Sequence, residues 1–254
     1  MREAEKKRFA EICLKEKDAP AYSAGKGIGT YGEKRLHRVI KQWVCPREEC
    51  HEQAVGRFVA DLLMEGEIVE IQTGSLRPLA RKLGEYLKAT EDRITVIYPL
   101  IAERRILRMD PATGELLSCR RSPKKEEWVD ALSEIFWLRE LLPSERISLR
   151  LLRIKGEERR YSERVRHRKS GAYEGEFFPE ELLEERWLTS MEDYRIFLPP
   201  QRESFTAGEY GSFSKQKGRR CYSCLNLLRD MGLLRREREG RQYRYWVSNE
   251  KTGD

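Results

Sequence analysis

Two carboxylates in one short strand-like segment raise the question of what they bind. The segment is GRFVADLLMEGEIVEIQTG, residues 56–74, in which strand-forming apolar residues surround Asp61 and Glu70. Glu65-Gly66 is suited to a two-residue hairpin turn, because glycine provides the positive φ that such turns need. With that turn, Asp61 and Glu70 lie opposite each other on antiparallel strands. Like charges in facing positions destabilise a sheet, so the pattern predicts a cation beside them.

The chemistry that fits is metal-dependent cleavage of a phosphodiester. Carboxylates hold Mg²⁺ (or Mn²⁺) against a phosphate, and the carbonyl of Ile71 is a further hard oxygen ligand. Gln72 lies on the same strand face as Glu70 by the period of two. Arg81 and Lys82, on the next helix, are cations for neighbouring phosphates. We therefore predict the metal ligands Asp61, Glu70 and Ile71, and the catalytic residues Glu33, Asp61, Glu70, Gln72 and Lys82.

Glu33 is the least specific member of this set. It begins a helix predicted over GEKRLHRVIKQWV, where a carboxylate in the first turn is favoured by the helix dipole in any protein. The alternative is that Glu33 completes the metal site directly or through water. Just before it, GIGTYG (Gly27, Gly29, Gly32) matches a dinucleotide-binding glycine pattern. No strand precedes these glycines, so nucleotide binding is not favoured.

The elements that would position these residues alternate helix and strand. After the hairpin, SLRPLARKLGEYLKA predicts an amphipathic helix, and the apolar run RITVIYPLIA predicts a strand buried on both faces. RRILRMDPATGELL predicts a second hairpin that turns at residues 110–114. The fold class is therefore α/β, with a mixed sheet flanked by helices.

An α+β extension is predicted over residues 122–200. Ser122 and Pro123 are suited to begin a helix over SPKKEEWVDALSEIFWLRELL. RISLRLLRIKGEERRYSERV predicts two strands joined at Lys155-Gly156, and the basic segment RHRKSGAYEG predicts a loop. FPEELLEERWLTSMEDYRIFLP predicts a helix. Pro199-Pro200 then marks a domain boundary.

The C-terminal segment, residues 201–254, predicts a winged helix-turn-helix. FTAGEYGSF and KGRRCYSCLNLLRDMG form two short helices, and LLRREREGRQYRYWV forms a hairpin that turns at Glu239-Gly240. The segment has 12 Lys and Arg against 7 Asp and Glu, which is +5 of the whole chain's +7. This excess predicts binding to duplex DNA. The expected contacts are Lys217, Arg219, Arg220, Tyr222, Ser223, Arg238 and Arg241.

Taken together, these motifs resemble the PD-(D/E)XK nucleases. The resemblance covers residues 25–108, from the helix with Glu33 through Asp61 and the EIQ triplet to the strand TVIYPL. It implies a mixed sheet flanked by helices and Mg²⁺-dependent cleavage of DNA or RNA. Ala60 replaces the family's usual proline, and Gln72 replaces its common lysine, which puts the water-activating role of Gln72 in question. The whole chain also resembles bacterial proteins that join such a core to a C-terminal winged helix.

The resulting domain prediction has four parts: an N-terminal helix and linker at 1–24, a nuclease-like core at 25–121, the extension at 122–200 and the winged helix at 201–254. Charged residues make up 37% of the 254 residues, and the pI is near 9.1. No apolar run is long enough to span a membrane and no signal peptide is recognised, so we expect a cytoplasmic protein. The clusters Cys45–Cys50–His51 and Cys221–Cys224 each lack the four ligands of structural zinc.

Two functions fit these features. The first is a Mg²⁺-dependent DNA endonuclease anchored by its winged helix, and the main alternative is a non-catalytic DNA-binding regulator with the core as scaffold. An RNA-processing nuclease is a third alternative, which a winged helix disfavours because it reads the duplex major groove. Since nuclease cores of this kind often pair to cut both strands, a homodimer stays open.

Overall fold

A computed structural model describes residues 3–18, 35–110, 112–142, 144–164 and 173–248. Glu33, the GIGTYG glycines and most of the predicted loop RHRKSGAYEG lie outside these residues. Within them, no helix is long and apolar enough to cross a membrane.

A seven-stranded mixed sheet lies at the centre of the structure. Its strands are β1 (His51–Val55), β2 (Phe58–Met64), β3 (Glu67–Ile71), β4 (Arg93–Met109), β5 (Leu116–Arg121), β6 (Ile147–Arg164) and β7 (Tyr173–Leu188). The spatial order is β1-β2-β3-β4-β6-β7, and β5 pairs with β4. β4 is parallel to both β3 and β6, and the other pairs are antiparallel. The α/β class with a mixed sheet is confirmed.

The β2–β3 hairpin has the register that its sequence predicts. Leu62 pairs with Val69, and Met64 pairs with Glu67, so Glu65-Gly66 is the two-residue turn. Gly66 has φ 71°, the left-handed conformation that glycine adopts without strain. The ladder ends at the Leu62–Val69 pair, and Asp61 and Glu70 are the next residue along each strand.

Helices cover both faces of the sheet. They are α1 (Glu3–Asp18), α2 (Arg35–Val44) and α3 (Leu79–Ala89). The α3 helix makes the crossover between the parallel strands β3 and β4, and buries Leu83 and Tyr86 against Ile68 and Val96. The α1 and α2 helices pack on the opposite face, where the buried residues are Phe9, Val39, Ile40, Trp43, Val69, Ile71 and Ile97.

The helix predicted from Ser122 begins later than its sequence indicates. Residues 122–127 run beside β4, because Ser122 N–H donates to Arg104 O and Glu126 N–H donates to Ile101 O. The helical segment starts at Trp128, where Glu127 N–H donates to Asp130 Oδ2 at 2.8 Å. It consists of a 3-10 turn (Trp128–Ala131), α4 (Leu132–Ile135) and a second 3-10 turn (Phe136–Leu138). The prediction of Ser122 as the N-cap is wrong.

The strand pair predicted around Lys155-Gly156 is also wrong. Both residues lie inside the single long strand β6, which pairs with β4 from Ile147 to Tyr161. Gly156 is needed there for close approach rather than for a turn. A Cβ at this position would lie 2.3 Å from the carbonyl oxygen of Phe178 on β7.

The helix predicted after Phe178 is a strand, β7, followed by a 3-10 helix at Met191–Phe197. The glutamates of this segment suggested a solvated helix. They are instead ladder partners of basic residues on β6, as in the ion pairs Arg153–Glu184 and Lys155–Glu181. Opposite charges in facing positions stabilise an antiparallel pair, so tertiary pairing overrides the local preference.

The C-terminal unit, residues 204–247, has the predicted order of two helices and a hairpin. Its elements are β8 (Ser204–Thr206), α5 (Ala207–Ser214), α6 (Arg219–Asp230), β9 (Leu234–Glu239) and β10 (Gln242–Val247), and the strand order is β8-β10-β9. Thr206 caps α5 by accepting from Glu209 N–H. The hairpin turns at Gly240-Arg241, one residue later than predicted, because Glu239 pairs with Gln242.

This unit shares its hydrophobic core with the large sheet. Leu225 and Leu228 of α6 belong to the same buried cluster as Leu132 and Ile135 of α4. Hydrogen bonds cross the same junction, from Tyr210 Oη to Phe197 O at 3.2 Å and from Arg195 Nη2 to Ser248 O at 2.6 Å. The second sheet therefore begins after Pro199-Pro200 without a separate core of its own.

We expect Leu228→Ala to destabilise the whole chain in one step. Leu228 is fully buried in the shared cluster, and truncation of such a leucine costs about 2–5 kcal/mol of unfolding free energy. Urea unfolding, followed by circular dichroism and by tryptophan fluorescence, measures this change. Leu14→Ala is the control, because Leu14 is 66% exposed. Two separate transitions, only one of them shifted, would contradict a shared core.

Candidate active site

Asp61 is held at the edge of the site by contacts to one of its oxygens. Its Oδ2 accepts a hydrogen bond from the backbone N–H of Ile71 at 2.7 Å, across the hairpin. The same oxygen lies 3.2 Å from Nε2 of His37 on α2. Asp61 is half-buried, so β2, β3 and α2 together fix the orientation of its carboxylate.

Glu70 is buried much more deeply, at 3% exposure. Its Oε2 accepts a hydrogen bond from Lys82 Nζ at 2.7 Å, and its Oε1 accepts one from Tyr86 Oη at 2.9 Å. Lys82 and Tyr86 are four residues apart on α3, so they project from one face of the helix. The helix therefore presents a cation and a hydroxyl to the carboxylate on β3.

The pKa values of the two carboxylates are shifted in opposite directions. Burial, together with the charge of Asp61, raises the pKa of Glu70 from 4.5 to about 7, and Lys82 and Tyr86 offset this only in part. Burial also acts to raise the pKa of Asp61. There, however, the hydrogen bond and charge of His37 and the Ile71 N–H outweigh burial, and the pKa lies below its ordinary value. Asp61 is therefore the ionised partner, while Glu70 exchanges its proton near neutral pH.

Gln72 lies next to the carboxylate pair, with its side chain turned to the following loop. Its Nε2 donates to Ser75 O at 3.0 Å, and its backbone N–H donates to Ile97 O. Among the predicted catalytic residues that the structure describes, Lys82 is the one whose charged atom reaches Glu70. Glu33 lies outside the described residues.

Two contributors to the site were not among the predicted residues. His37, on the helix that Glu33 was expected to begin, contacts Asp61. Tyr86 was assigned only to an amphipathic helix. The available signal was its spacing of four from Lys82, because a buried tyrosine hydroxyl needs a hydrogen-bond partner.

The donors present at the site suit a hard cation. Asp61 and Glu70 supply carboxylate oxygens, and Ile71, between Glu70 and Gln72, supplies a backbone carbonyl. Across the described ranges, no group of three His, Cys, Asp or Glu residues gathers around one point to hold a metal. All six cysteines are free thiols. The carboxylate pair is thus a two-ligand site in the part of the chain that is described.

The predicted DNA contacts lie on two elements of the C-terminal unit, the start of α6 and the turn of the β9–β10 hairpin. Lys217, Arg219, Arg220 and Tyr222 are all exposed at the start of α6. The hydroxyl of Ser223 donates to the carbonyl of Arg219 at 3.0 Å, so it is engaged with the helix backbone. Arg238 and Arg241 are exposed beside the hairpin turn, and Arg238 Nε donates to Gly240 O.

The hairpin separates its charges between two faces. Alternation along β9 and β10 places Arg236, Arg238 and Tyr243 on the face that carries the buried Tyr245. Arg236 Cζ lies 4.2 Å from the centre of the Tyr243 ring. The sequence prediction missed Arg236 and Tyr243, although the period of two along β9 and β10 places both on the face of Arg238.

The opposite face of the hairpin carries its glutamates. They form ion pairs with arginines of that same face, Arg235–Glu237 and Arg244–Glu239. The face that carries Tyr245 therefore has arginines and no acidic residue, and the opposite face is close to neutral.

The raised pKa of Glu70 predicts a specific pH dependence. Because the folded protein binds this proton more tightly than the unfolded chain, the contribution to stability is complete below pH 4.5 and is lost as the pH rises through about 7. We expect wild type to lose up to about 3 kcal/mol relative to Glu70→Gln across this window. Urea unfolding at a series of pH values, with EDTA, measures the difference. Glu65→Gln, at the exposed turn, is the control, and parallel curves for wild type and Glu70→Gln would overturn the assignment.

Comparison with known proteins places this architecture in a family. A model of the family described as a domain of unknown function, DUF8091, matches residues 34–189. The match runs from α2 to the end of β7 and includes Asp61, Glu70 and Lys82. No curated protein and no solved structure matches the chain. The seven-stranded sheet and its carboxylate pair therefore lie within the matched region, and the chain belongs to the DUF8091 family.

Proposed function

We propose that the chain is a Mg²⁺- (or Mn²⁺-) dependent nuclease that hydrolyses phosphodiester bonds in DNA. The observation that carries the proposal is the pair of carboxylates on neighbouring strands: Asp61 Oδ2 accepts from Ile71 N–H at 2.7 Å, next to Glu70, and Lys82 Nζ lies 2.7 Å from Glu70 Oε2. The order of elements from α2 through the β1–β2–β3 meander and α3 to β4 is the order that the resemblance to PD-(D/E)XK nucleases implies.

Asp61, Glu70 and the carbonyl of Ile71 would hold the metal ion. When bound, Mg²⁺ polarises the phosphate and lowers the pKa of water. Because the pKa of Glu70 is about 7, the carboxylate becomes a full anion, and thus a better ligand, at neutral and higher pH. Asp61 is ionised throughout, and the Ile71 N–H and His37 hold its carboxylate in place.

Lys82, rather than Gln72, is suited to orient the attacking water or neutralise the phosphate. Its ammonium is directly beside Glu70, and its position on α3 is fixed by the buried Leu83 and Tyr86. Gln72 has a different role in the fold, because its amide ties the end of β3 to Ser75. This assignment accounts for a glutamine where the resembling family commonly has lysine.

The non-catalytic regulator is the second candidate, and one observation favours it. Both oxygens of Glu70 are already engaged, by Lys82 and by Tyr86. A carboxylate satisfied in this way can be a purely structural group inside the core, because a buried charge needs such partners. Metal binding and cleavage assays separate the two candidates.

The C-terminal unit is proposed to anchor the protein on duplex DNA as a winged helix. The exposed start of α6 supplies Arg219 and Arg220, the part of a recognition helix that meets bases and phosphates. The Tyr245 face of the hairpin adds Arg236 and Arg238 without opposing acids. Such a surface recognises a polyanion through charge and through the aromatic ring of Tyr243.

We expect wild type to relax supercoiled plasmid with Mg²⁺ or Mn²⁺, and Glu70→Ala or Asp61→Asn to abolish this activity. Lys82→Ala should lower the cleavage rate by roughly 100-fold or more, since it removes a positioned cation from the site. Gln72→Ala should lower it far less. Gel electrophoresis of the plasmid forms over time measures the rates.

Glu65→Ala is the matched control, because Glu65 is an exposed carboxylate of the same hairpin. Mg²⁺ should also raise the melting temperature of wild type by mass action, and Asp61→Asn should remove most of that increase. Duplex binding with neither metal stabilisation nor cleavage would reject the nuclease and support the regulator.

The different charges on the two faces of the β9–β10 hairpin allow a test of its proposed contact with DNA. Each phosphate contact that is removed should flatten the dependence of log K on log salt by about one unit. We expect Arg236→Ala with Arg238→Ala to flatten the slope for a DNA duplex by roughly one to two units. Arg235→Ala with Arg244→Ala removes equal charge from the outer face and should change the slope little. Equal effects of the two pairs would indicate net charge rather than contact.

A further inference from the structure

An exposed tryptophan lies on the helical segment whose Glu134 is hydrogen-bonded to the loop after β3. Trp137 is in the 3-10 turn Phe136–Leu138 and is 38% exposed. The guanidinium of Arg77 lies over its ring, with Cζ 4.8 Å from the ring centre. The ring is therefore in contact with a cation and is also accessible from solvent.

A chain of hydrogen bonds connects Trp137 to the strand of the active site. Gln72, two residues after Glu70, donates to Ser75 O. Ser75 Oγ and the backbone N–H of Leu76 both donate to Glu134 Oε2, at 2.8 Å and 3.0 Å. Glu134 precedes Trp137 by three residues in the same helical segment. The loop from β3 to α3 and the Trp137 segment are thus fixed to each other.

The cation over this ring has no counter-charge in the described part of the chain. The Arg77 guanidinium contacts Trp137 there and no carboxylate. Arg81 is exposed one helical turn further on, and Lys82 follows at Glu70. Arg77, Arg81 and Lys82 therefore follow one another along the turn before α3 and the first turn of the helix.

The other exposed tryptophan with an arginine over it differs in this respect. Trp187 on β7 is 42% exposed, and Arg150 Cζ lies 4.8 Å from its ring centre. Arg150, however, is neutralised by Glu185 and also covers the buried Trp43. Two strands, β4 and β6, lie between β3 and β7 in the sheet. Trp187 is therefore remote from the carboxylates and is a matched comparison for Trp137.

We propose that Trp137 stacks on a nucleobase of an unpaired DNA strand, while Arg77, Arg81 and Lys82 contact its phosphates. In a duplex, every base face is already covered by its neighbours, whereas an unpaired base offers its face to an aromatic ring. This inference rests on the proposed nuclease function and specifies its substrate class. The substrate is duplex DNA, held by the C-terminal unit, with a single-stranded segment that enters the Asp61–Glu70 site.

The test measures binding of the full chain in EDTA, so that no cleavage occurs. The probes are a blunt fluorescent duplex, the same duplex with a single-stranded extension, and the extension strand alone. We expect the extended duplex to bind wild type most tightly. Trp137→Ala should weaken its binding by roughly tenfold or more, and should leave the blunt duplex unchanged. Trp137→Phe, which keeps an aromatic face, should retain most of the affinity.

Trp187→Ala is the matched control and should change none of the three affinities. Equal losses for Trp137→Ala and Trp187→Ala, or an equal loss on blunt and extended duplexes, would overturn the inference. Because no metal is present, a failure of the nuclease proposal leaves this result unaffected. Conversely, Glu70-dependent cleavage of blunt duplex with no effect of Trp137→Ala would reject the unpaired-strand substrate and keep the nuclease.

Discussion

The charge of Glu70 is the constraint around which the nearby structure is organised. A carboxylate inside the layer between the sheet and α3 is costly unless partners satisfy both of its oxygens. Lys82 and Tyr86 can do this only if α3 has a defined position along β3 and a defined rotation about its own axis. Buried Leu79 and Leu83 fix that rotation, and the parallel pairing of β3 with β4 fixes where the crossover helix starts and ends. The apolar core and the polar site therefore depend on each other.

The neighbouring carboxylate shows why position matters more than residue type. Asp61 and Glu70 lie on neighbouring strands, but Asp61 is half-buried and receives a backbone N–H and His37, whereas Glu70 is almost inaccessible to water. Their pKa values consequently move in opposite directions. The surroundings of each carboxylate, and not its residue type, therefore set how tightly it holds a proton. A pair of equally exposed carboxylates would have no such asymmetry.

The site was predictable where local rules decide the structure. Glycine at position 66 fixed the hairpin turn, and the turn fixed the register that brings Asp61 and Glu70 to neighbouring strands just beyond the Leu62–Val69 pair. The contacts of Tyr86 and His37 depend on tertiary packing, which one sequence does not encode locally. The same reason explains the error in β7, whose glutamates have a helical appearance but pair with arginines and lysines on β6. Gly156 was taken for a turn because the close approach of Phe178 becomes visible only in the assembled sheet.

The shared core between α4 and α6 has a geometric consequence. Leu132 and Leu228 belong to one hydrophobic cluster, so no flexible tether connects the C-terminal unit to the sheet. A tethered binding module lets an active site sample many distances along a bound polymer, whereas a module fused through its core permits one distance. In a chain that cuts DNA, this shared core would fix the distance between the DNA-binding surface and the active site. The number of base pairs between the bound site and the cleaved phosphodiester would then depend on side-chain packing at the junction. Substitution of the leucines there would change it.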